Sequence, residues 1–167
     1  THPPNLTYLF NFTGSTAMAC CLNGESLLIV DSRYIEIAQT QAVNCQPVLA
    51  QGSLVEKLCS ILSSKNYSKF RLGIEATNIS YDLFSTIRSW SETIECIPTH
   101  ELTEKLRMIK NHEELQTLKQ AFQISHIAYR QLTKIISPGM TESIIAGLLE
   151  LELRKAGGEG LAFETIV

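Results

Sequence analysis

The sequence predicts an α/β fold, a mixed β-sheet flanked by helices, followed by a helical hairpin. In the first hundred residues, apolar runs of strand length alternate with stretches of helical period. Strands that alternate with crossover helices build α/β layers. Asn23-Gly24 lies between two apolar runs and is typical of a two-residue hairpin turn, so the sheet should contain an antiparallel pair. From Glu101 to Gly157-Gly158 the period is helical.

The elements of the first part follow from short local patterns. Strands are predicted over residues 6–10, 16–22, 26–31, 45–48, 71–75 and 93–97. A helix is predicted over 33–41, and two more begin at Ser53 and Ser80. Ser53 and Glu56 have the spacing of a capping box. Pro98 is expected to close this part of the chain.

The second part reads as a helical hairpin. Asn111 and Glu114 have capping-box spacing and open an amphipathic helix of six or seven turns, which Pro138-Gly139 stops. Thr141 caps the next helix and Gly157-Gly158 ends it. A strand pattern over 161–167 follows. We therefore expect one domain over 1–100, a linker over 101–110, and the start of a second domain over 111–167.

Composition excludes several classes of protein. The chain has 167 residues, of which 44% are apolar and 19% charged, so it can bury a core. A net charge of −3 without a basic block argues against binding nucleic acid. No apolar run approaches the roughly 20 residues of a membrane span. Five cysteines without CxxC spacing favour reduced thiols and a cytoplasmic location.

A search for catalytic chemistry is negative. Residues 112–116 begin like the zinc motif HExxH, but Gln116 stands where the second histidine is required. A two-metal hydrolytic centre needs several carboxylates, whereas the only aspartates are Asp31 and Asp82. The nucleophile motif GxSxG is absent. We predict that this chain contains no catalytic residue and no metal ligand.

Two short segments remain as candidate sites. The polar loop between two predicted strands could line the rim of a cleft; its residues are Phe12, Thr13, Gly14 and Ser15. The second segment contains an ion-pairing couple and an aromatic residue where a strand turns into a helix; its residues are Asp31, Arg33 and Tyr34. For these three we expect a structural role, with Asp31 capping the helix.

These segments, in this order, resemble the proline-specific metallopeptidases, that is, the aminopeptidase P and Xaa-Pro dipeptidase (prolidase) group, whose N-terminal domain is shared with creatinase. The resemblance covers nearly the whole chain. It rests on Asn5-Leu6-Thr7-Tyr8-Leu9, Phe12-Thr13-Gly14-Ser15, Asp31-Ser32-Arg33-Tyr34, Leu106-Arg107-Met108-Ile109-Lys110, Ser137-Pro138-Gly139-Met140-Thr141-Glu142 and the segment from Glu159 to Val167.

The resemblance implies a creatinase/prolidase-like N-terminal domain and the opening of a truncated pita-bread catalytic domain. In that family two divalent ions, manganese or cobalt, are held by two Asp, one His and two Glu, which correspond to positions beyond Val167. It also implies a first strand and helix before Thr1, a peptide substrate with proline as its second residue, and an inactive isolated fragment.

The exposed apolar face of the long helix predicts a homodimer. In the complete enzyme, Phe12→Ala is expected to raise KM more than it lowers kcat. Two other readings stay open: a non-catalytic binding module of the same fold, as in histone-chaperone relatives, and a creatinase-type C–N hydrolase.

Overall fold

The computed structural model describes residues 1–65 and 69–167. The chain forms two compact units, Thr1–Met108 and Ile109–Val167. The boundary between them falls inside the segment 101–110 that the sequence predicts as a linker.

The first unit contains five helices and five strands within its described residues. The helices are α1 (Pro3–Phe10), α2 (Ile35–Gln41), α3 (Leu54–Ser64), α4 (Tyr81–Trp90) and α5 (Leu102–Met108). The strands are β1 (Ala17–Leu22), β2 (Glu25–Val30), β3 (Gln46–Leu49), β4 (Phe70–Glu75) and β5 (Ile94–Thr99). Five of the six predicted strands are confirmed, with small shifts of their ends.

The strands form one mixed sheet and one parallel pair. β1 and β2 are antiparallel, and β2 and β3 are parallel, which confirms the mixed sheet. Between β1 and β2, Asn23 and Gly24 have φ values of 51° and 86°, the positive pair that a type I′ hairpin turn requires. β4 and β5 form a separate parallel pair. Pro98 lies within β5, which has a single strand neighbour among the described residues and can therefore spare one backbone N–H.

The core of the first unit lies on both faces of β2. Ile29 belongs to a cluster that includes Leu58 and Leu62 of α3. Leu28 and Val30 belong to the opposite cluster, with side chains of α1 and α2. Because successive side chains of a strand point to opposite faces, β2 is covered on both sides by helices.

The prediction of a strand over residues 6–10 is wrong, since this segment is the end of helix α1. Pro3 and Pro4 occupy the first two helical positions, where a missing N–H costs nothing. Leu6 and Phe10 are both 3% exposed, whereas Tyr8 between them is 39% exposed. That spacing is the i, i+4 face of a helix rather than the alternation of a strand.

The predicted helix caps are confirmed only in part. The Ser80 hydroxyl accepts a hydrogen bond from the Leu83 N–H at 3.1 Å, as predicted. Ser53 is the N-cap of α3, but its side chain makes no capping hydrogen bond, so the predicted box with Glu56 does not form. The residue pattern marks where the helix begins but does not determine the hydroxyl rotamer.

The second unit is a helical hairpin of α6 (His112–Leu132) and α7 (Glu142–Lys155). Asn111 and Glu114 form the predicted capping box at 2.9 and 2.8 Å. Thr141 Oγ1 accepts from the Ile144 N–H at 3.3 Å, as predicted. The strand predicted over 161–167 is wrong: the segment has no regular structure, because a strand requires a hydrogen-bonded neighbour and this unit contains helices alone. Within the described parts of both units, no helix combines the length and apolarity needed to cross a bilayer.

Candidate functional site

The fold brings the two candidate segments together. Ser15 Oγ and the Tyr34 hydroxyl are 2.7 Å apart, within hydrogen-bond distance. The rings of Phe12 and Tyr34 meet edge to face, with centroids 6.0 Å apart. The loop over residues 12–15 is therefore attached to the segment between β2 and α2 by one polar and one aromatic contact.

Phe12 anchors this loop, and Thr13 and Ser15 form its surface. Phe12 is 1% exposed and belongs to the cluster on the α1 and α2 side of the sheet. Thr13 and Ser15 are exposed, and the Thr13 hydroxyl donates to Gln41 Oε1 at 3.1 Å. If this loop lines a cleft, it would present the hydroxyl groups of Thr13 and Ser15 from a turn that is anchored by the buried Phe12.

Gly14 is required by the close approach of the two rings. A Cβ at this position would overlap the Phe12 ring and lie 2.8 Å from Cδ1 of Tyr34. Neither neighbour is the free end of a flexible chain, because Phe12 is buried and the Tyr34 hydroxyl is held by Ser15. The loop can keep this shape only without a side chain at residue 14.

One ion pair dominates the charge of the site. Arg33 donates from Nη2 to Asp31 Oδ2 at 2.6 Å, and its backbone N–H donates to Asp31 Oδ1 at 2.9 Å. The hydrogen bond from the Arg33 side chain is the main reason that the pKa of Asp31 is lowered. Asp31 caps the turn that leads into α2 rather than α2 itself, whose N-cap is Tyr34. A carboxylate that is held ionised by a guanidinium is a poor general base, so Asp31 is not suited to accept a proton in catalysis.

Four of the five cysteines are disfavoured as nucleophiles or metal ligands. All five cysteines are free thiols. Burial, with a smaller contribution from Cys21, raises the pKa of Cys20 to about 11. Burial likewise raises the pKa of Cys45, Cys59 and Cys96. Protonated thiols are weak nucleophiles and weak metal ligands.

The described residues do not fit a metal centre. Over residues 1–65 and 69–167, no group of three or more His, Cys, Asp or Glu side chains could hold an ion. The two divalent ions implied by the family resemblance therefore find no ligand set among these residues.

Sequence reasoning missed a polar cluster around Asn5, which is 2% exposed. Its Nδ2 donates to Glu75 Oε1 at 2.7 Å and to Glu104 Oε1 at 2.8 Å. Its Oδ1 accepts from Arg107 Nη1 at 3.0 Å. The available signal was Pro3-Pro4: it marks a helix start, which places Asn5 in the first turn on the buried side.

A groove separates the two sheets of the first unit. It has a volume of about 420 Å³ and is lined by consecutive residues of β1 and of β4, together with side chains of α3 and α4. Among the described strands, β1 pairs with β2 alone and β4 with β5 alone. Among the described residues, the edges of β1 and β4 that line this groove therefore have no strand partner.

The fold and the candidate site define the class of protein. It is an α/β domain with an exposed loop that carries two hydroxyl groups, and a helical hairpin follows it in the chain. The chain belongs to the Creatinase/Prolidase N-terminal domain family, whose sequence pattern matches residues 1–109. This match confirms the resemblance and the fold class drawn from the sequence.

Individual relatives extend the match beyond that domain. The uncharacterized peptidase YqhT of Bacillus subtilis is 31% identical over 163 residues, which are 98% of this chain and 46% of that protein. An Xaa-Pro dipeptidase from Bacillus anthracis superposes with a TM-score of 0.88 at 31% identity, over 98% of this chain and 45% of that one. An X-Pro aminopeptidase from Thermotoga maritima gives 0.86 at 31% identity, over 97% and 46%. The chain thus spans about half the length of these relatives.

Proposed function

We propose that this chain is the N-terminal part of a metal-dependent Xaa-Pro aminopeptidase or dipeptidase, which hydrolyses the Xaa-Pro bond at a peptide N-terminus. The observation that carries the proposal is the similarity to two Xaa-Pro peptidases at TM-scores of 0.88 and 0.86, over 98% and 97% of this chain. It extends beyond the family match at residues 1–109 and so includes the helical hairpin.

Within that enzyme, this part supplies the wall of the substrate cleft and is inactive alone. Thr13 and Ser15 offer exposed hydroxyls on a loop anchored by Phe12. The described residues contain no group of three or more side chains that could hold a metal ion, and burial raises the pKa of the Cys20 thiol. Residues beyond Val167 in the parent would then carry the manganese or cobalt ions and the catalytic groups.

The domain assignment belongs to the same proposal. Residues 111–167 are the start of the pita-bread domain, and a strand and helix precede Thr1 in the parent. The groove between β1 and β4 supports the proposal that a further strand precedes Thr1, because consecutive residues of both strands line the groove. Thr1 also lines the groove, so a segment entering the chain at Thr1 would arrive at the right place.

The protein would be cytoplasmic, and this chain would associate as a homodimer through the face of α6. The face of α6 supports this, since Leu115, Leu118, Phe122 and Tyr129 are 45%, 42%, 73% and 61% exposed. Apolar side chains in such a contiguous stripe favour association. The five free thiols are compatible with a reducing compartment.

Peptidase assays test the function directly. The 167-residue chain and its longer parent would be incubated with manganese and with Ala-Pro, Ala-Pro-Ala or Ala-Ala. We expect the parent to cleave Ala-Pro if it is a dipeptidase or Ala-Pro-Ala if it is an aminopeptidase, to leave Ala-Ala intact and to lose activity with a chelator, while the chain alone cleaves none of them. Cleavage by the chain alone would contradict its assignment as a non-catalytic part.

The two other readings are further outcomes of these assays. Hydrolysis of creatine by the parent would favour the creatinase branch. A parent without hydrolase activity that binds histones would favour the binding module. The rim role is tested separately in the complete enzyme: Phe12→Ala should raise KM more than it lowers kcat, because it loosens the loop that carries Thr13 and Ser15, and unchanged kinetics would refute the role.

A further inference from the structure

Helix α5 is amphipathic, but its polar side faces inward. Thr103, Glu104 and Arg107 are half-buried, whereas Leu102 and Leu106 are 63% and 58% exposed. No residue of α5 is fully buried. Apolar burial, which holds the other helices of the unit, therefore contributes little to the attachment of this one.

Two polar side chains of α5, Glu104 and Arg107, converge on a single buried amide, and Glu104 Oε1 also lies 3.7 Å from Nδ1 of His2. Asn5 uses both of its side-chain N–H groups, one for Glu75 at the end of β4 and one for Glu104 in α5. Its carbonyl oxygen is used by Arg107, one turn further along α5. Both polar atoms of the amide have partners, and these three partners lie 70, 99 and 102 residues away in the sequence.

The charges around Asn5 depend on this arrangement. The hydrogen bond from Asn5 is the main reason that the pKa of Glu104 is lowered. For Glu75, burial raises the pKa, but the bond from Asn5 and the terminal amine outweigh it, so the pKa is lowered. A donor amide thus lies between two ionised carboxylates, which would otherwise repel each other across a partly buried space.

We propose that Asn5 is a positioning residue that fastens α5 to α1 and β4. Because α5 is the last element of the first unit, the Asn5 amide fixes the point at which the chain leaves that unit for Ile109. An aspartate of the same shape could not replace it, since it would have no N–H to donate and would add a third carboxylate. This inference is independent of the proposed peptidase activity.

Hydrogen exchange followed by mass spectrometry on the 167-residue chain tests the proposal. Glu104→Ala removes one α5 partner of Asn5, together with the longer 3.7 Å contact between Glu104 and His2, and deletes no apolar core side chain. We expect exchange of the α5 amides to accelerate about 10- to 100-fold, the size expected when a hydrogen bond to a charged group is lost, while β1 and β2 exchange as before. Lys105→Ala is the matched control on the same helix, because it loses only the exposed 4.0 Å pair with Glu101. Equal exchange of α5 in the two variants would overturn the proposal.

A charge-swap pair tests Asn5 itself. Asn5→Asp should accelerate α5 exchange at least as much as Glu104→Ala, and adding Glu104→Gln should largely reverse this, because the new amide can donate to the new carboxylate. Asn44→Asp, the same change at an exposed residue, should leave α5 unaffected. The positioning role would be refuted if the double variant showed no recovery and exchange rose equally in α5 and in β1–β2. Asn5 would then contribute to stability only as an ordinary core residue. If Asn5→Asp does not fold, the Glu104→Ala and Lys105→Ala comparison decides alone.

Discussion

The two units use the same helical pattern with different results. In the first unit, α3 carries apolar residues at helical spacing, and its Leu58 and Leu62 are 4% and 1% exposed against the mixed sheet. In the second unit, α6 carries a similar stripe, yet Phe122 is 73% exposed, and Ala128 and Leu132 are the buried residues among those described there. Periodicity therefore determines which face of a helix is apolar, but burial depends on a second layer.

The two units also differ in how completely their apolar side chains are covered. β2 is covered on both faces by helices, so its unit contains a closed core. The hairpin of α6 and α7 leaves a cavity of about 730 Å³ against the segment from Gly157 to Ile166. We therefore expect substitutions in the first unit to be costly and the same substitutions in the second unit to be nearly neutral in this chain.

The largest contrast is expected between two phenylalanines. Phe12→Ala removes a ring that is 1% exposed and should lower the free energy of unfolding by about 3–5 kcal/mol. Phe122→Ala, at a site 73% exposed, should change it by less than about 0.5 kcal/mol when the protein is dilute enough to be monomeric. Urea unfolding measures both, with the fluorescence of Trp90, the single tryptophan, reporting on the first unit and circular dichroism reporting on the helices. Similar costs at the two positions would contradict the contrast between the units.

Two glycines sharpen the comparison through effects of opposite sign. Gly14→Ala would force a methyl group between the rings of Phe12 and Tyr34, and overpacking of this kind costs about 1–3 kcal/mol. At Gly147, within α7, an added Cβ would meet no side chain within 4 Å, so Gly147→Ala should stabilise the hairpin by about 0.5–1 kcal/mol through helix propensity. Thermal unfolding of both variants checks the two signs. A stabilising Gly14→Ala would mean that the rings are not in contact in solution.

Most of the fold follows from local signals in the sequence. The hairpin at Asn23-Gly24 and the caps at Ser80, Asn111 and Thr141 are each specified by residues within four positions of one another, and the structure contains all of them. Helix α1 is not predictable from residues 6–10 alone, because so short a run fits the period of a strand as well as that of a helix. Only Pro3-Pro4 favours the helix.

The site is less predictable, because its contacts join distant residues. The Asp31–Arg33 pair is two residues apart and could be read from the sequence. The Ser15–Tyr34 contact joins different elements, and the Asn5 cluster spans up to 102 residues. No local sequence pattern indicates that the buried amide of Asn5 is contacted by two glutamates and an arginine. Such contacts are specified by the packing of α1 beside β4 and α5, which the sequence determines only through the whole fold.

The smallest expected effect concerns the surface pair of the candidate site. Arg33 lowers the pKa of Asp31, chiefly through its side-chain hydrogen bond. Because the folded-state pKa lies below the unfolded one, the pair stabilises the protein above the ordinary aspartate pKa of 3.8, and this contribution is lost as the pH falls through the lowered folded value. NMR titration of the Asp31 carboxyl should therefore give a midpoint below 3.8, which Arg33→Ala moves back up and added salt shifts in the same direction. Lys155→Ala, which breaks a 2.6 Å pair with Glu152 in the second unit, is the control and should leave the Asp31 midpoint unchanged. A wild-type midpoint that Arg33→Ala does not raise would show that the guanidinium does not hold this carboxylate in solution.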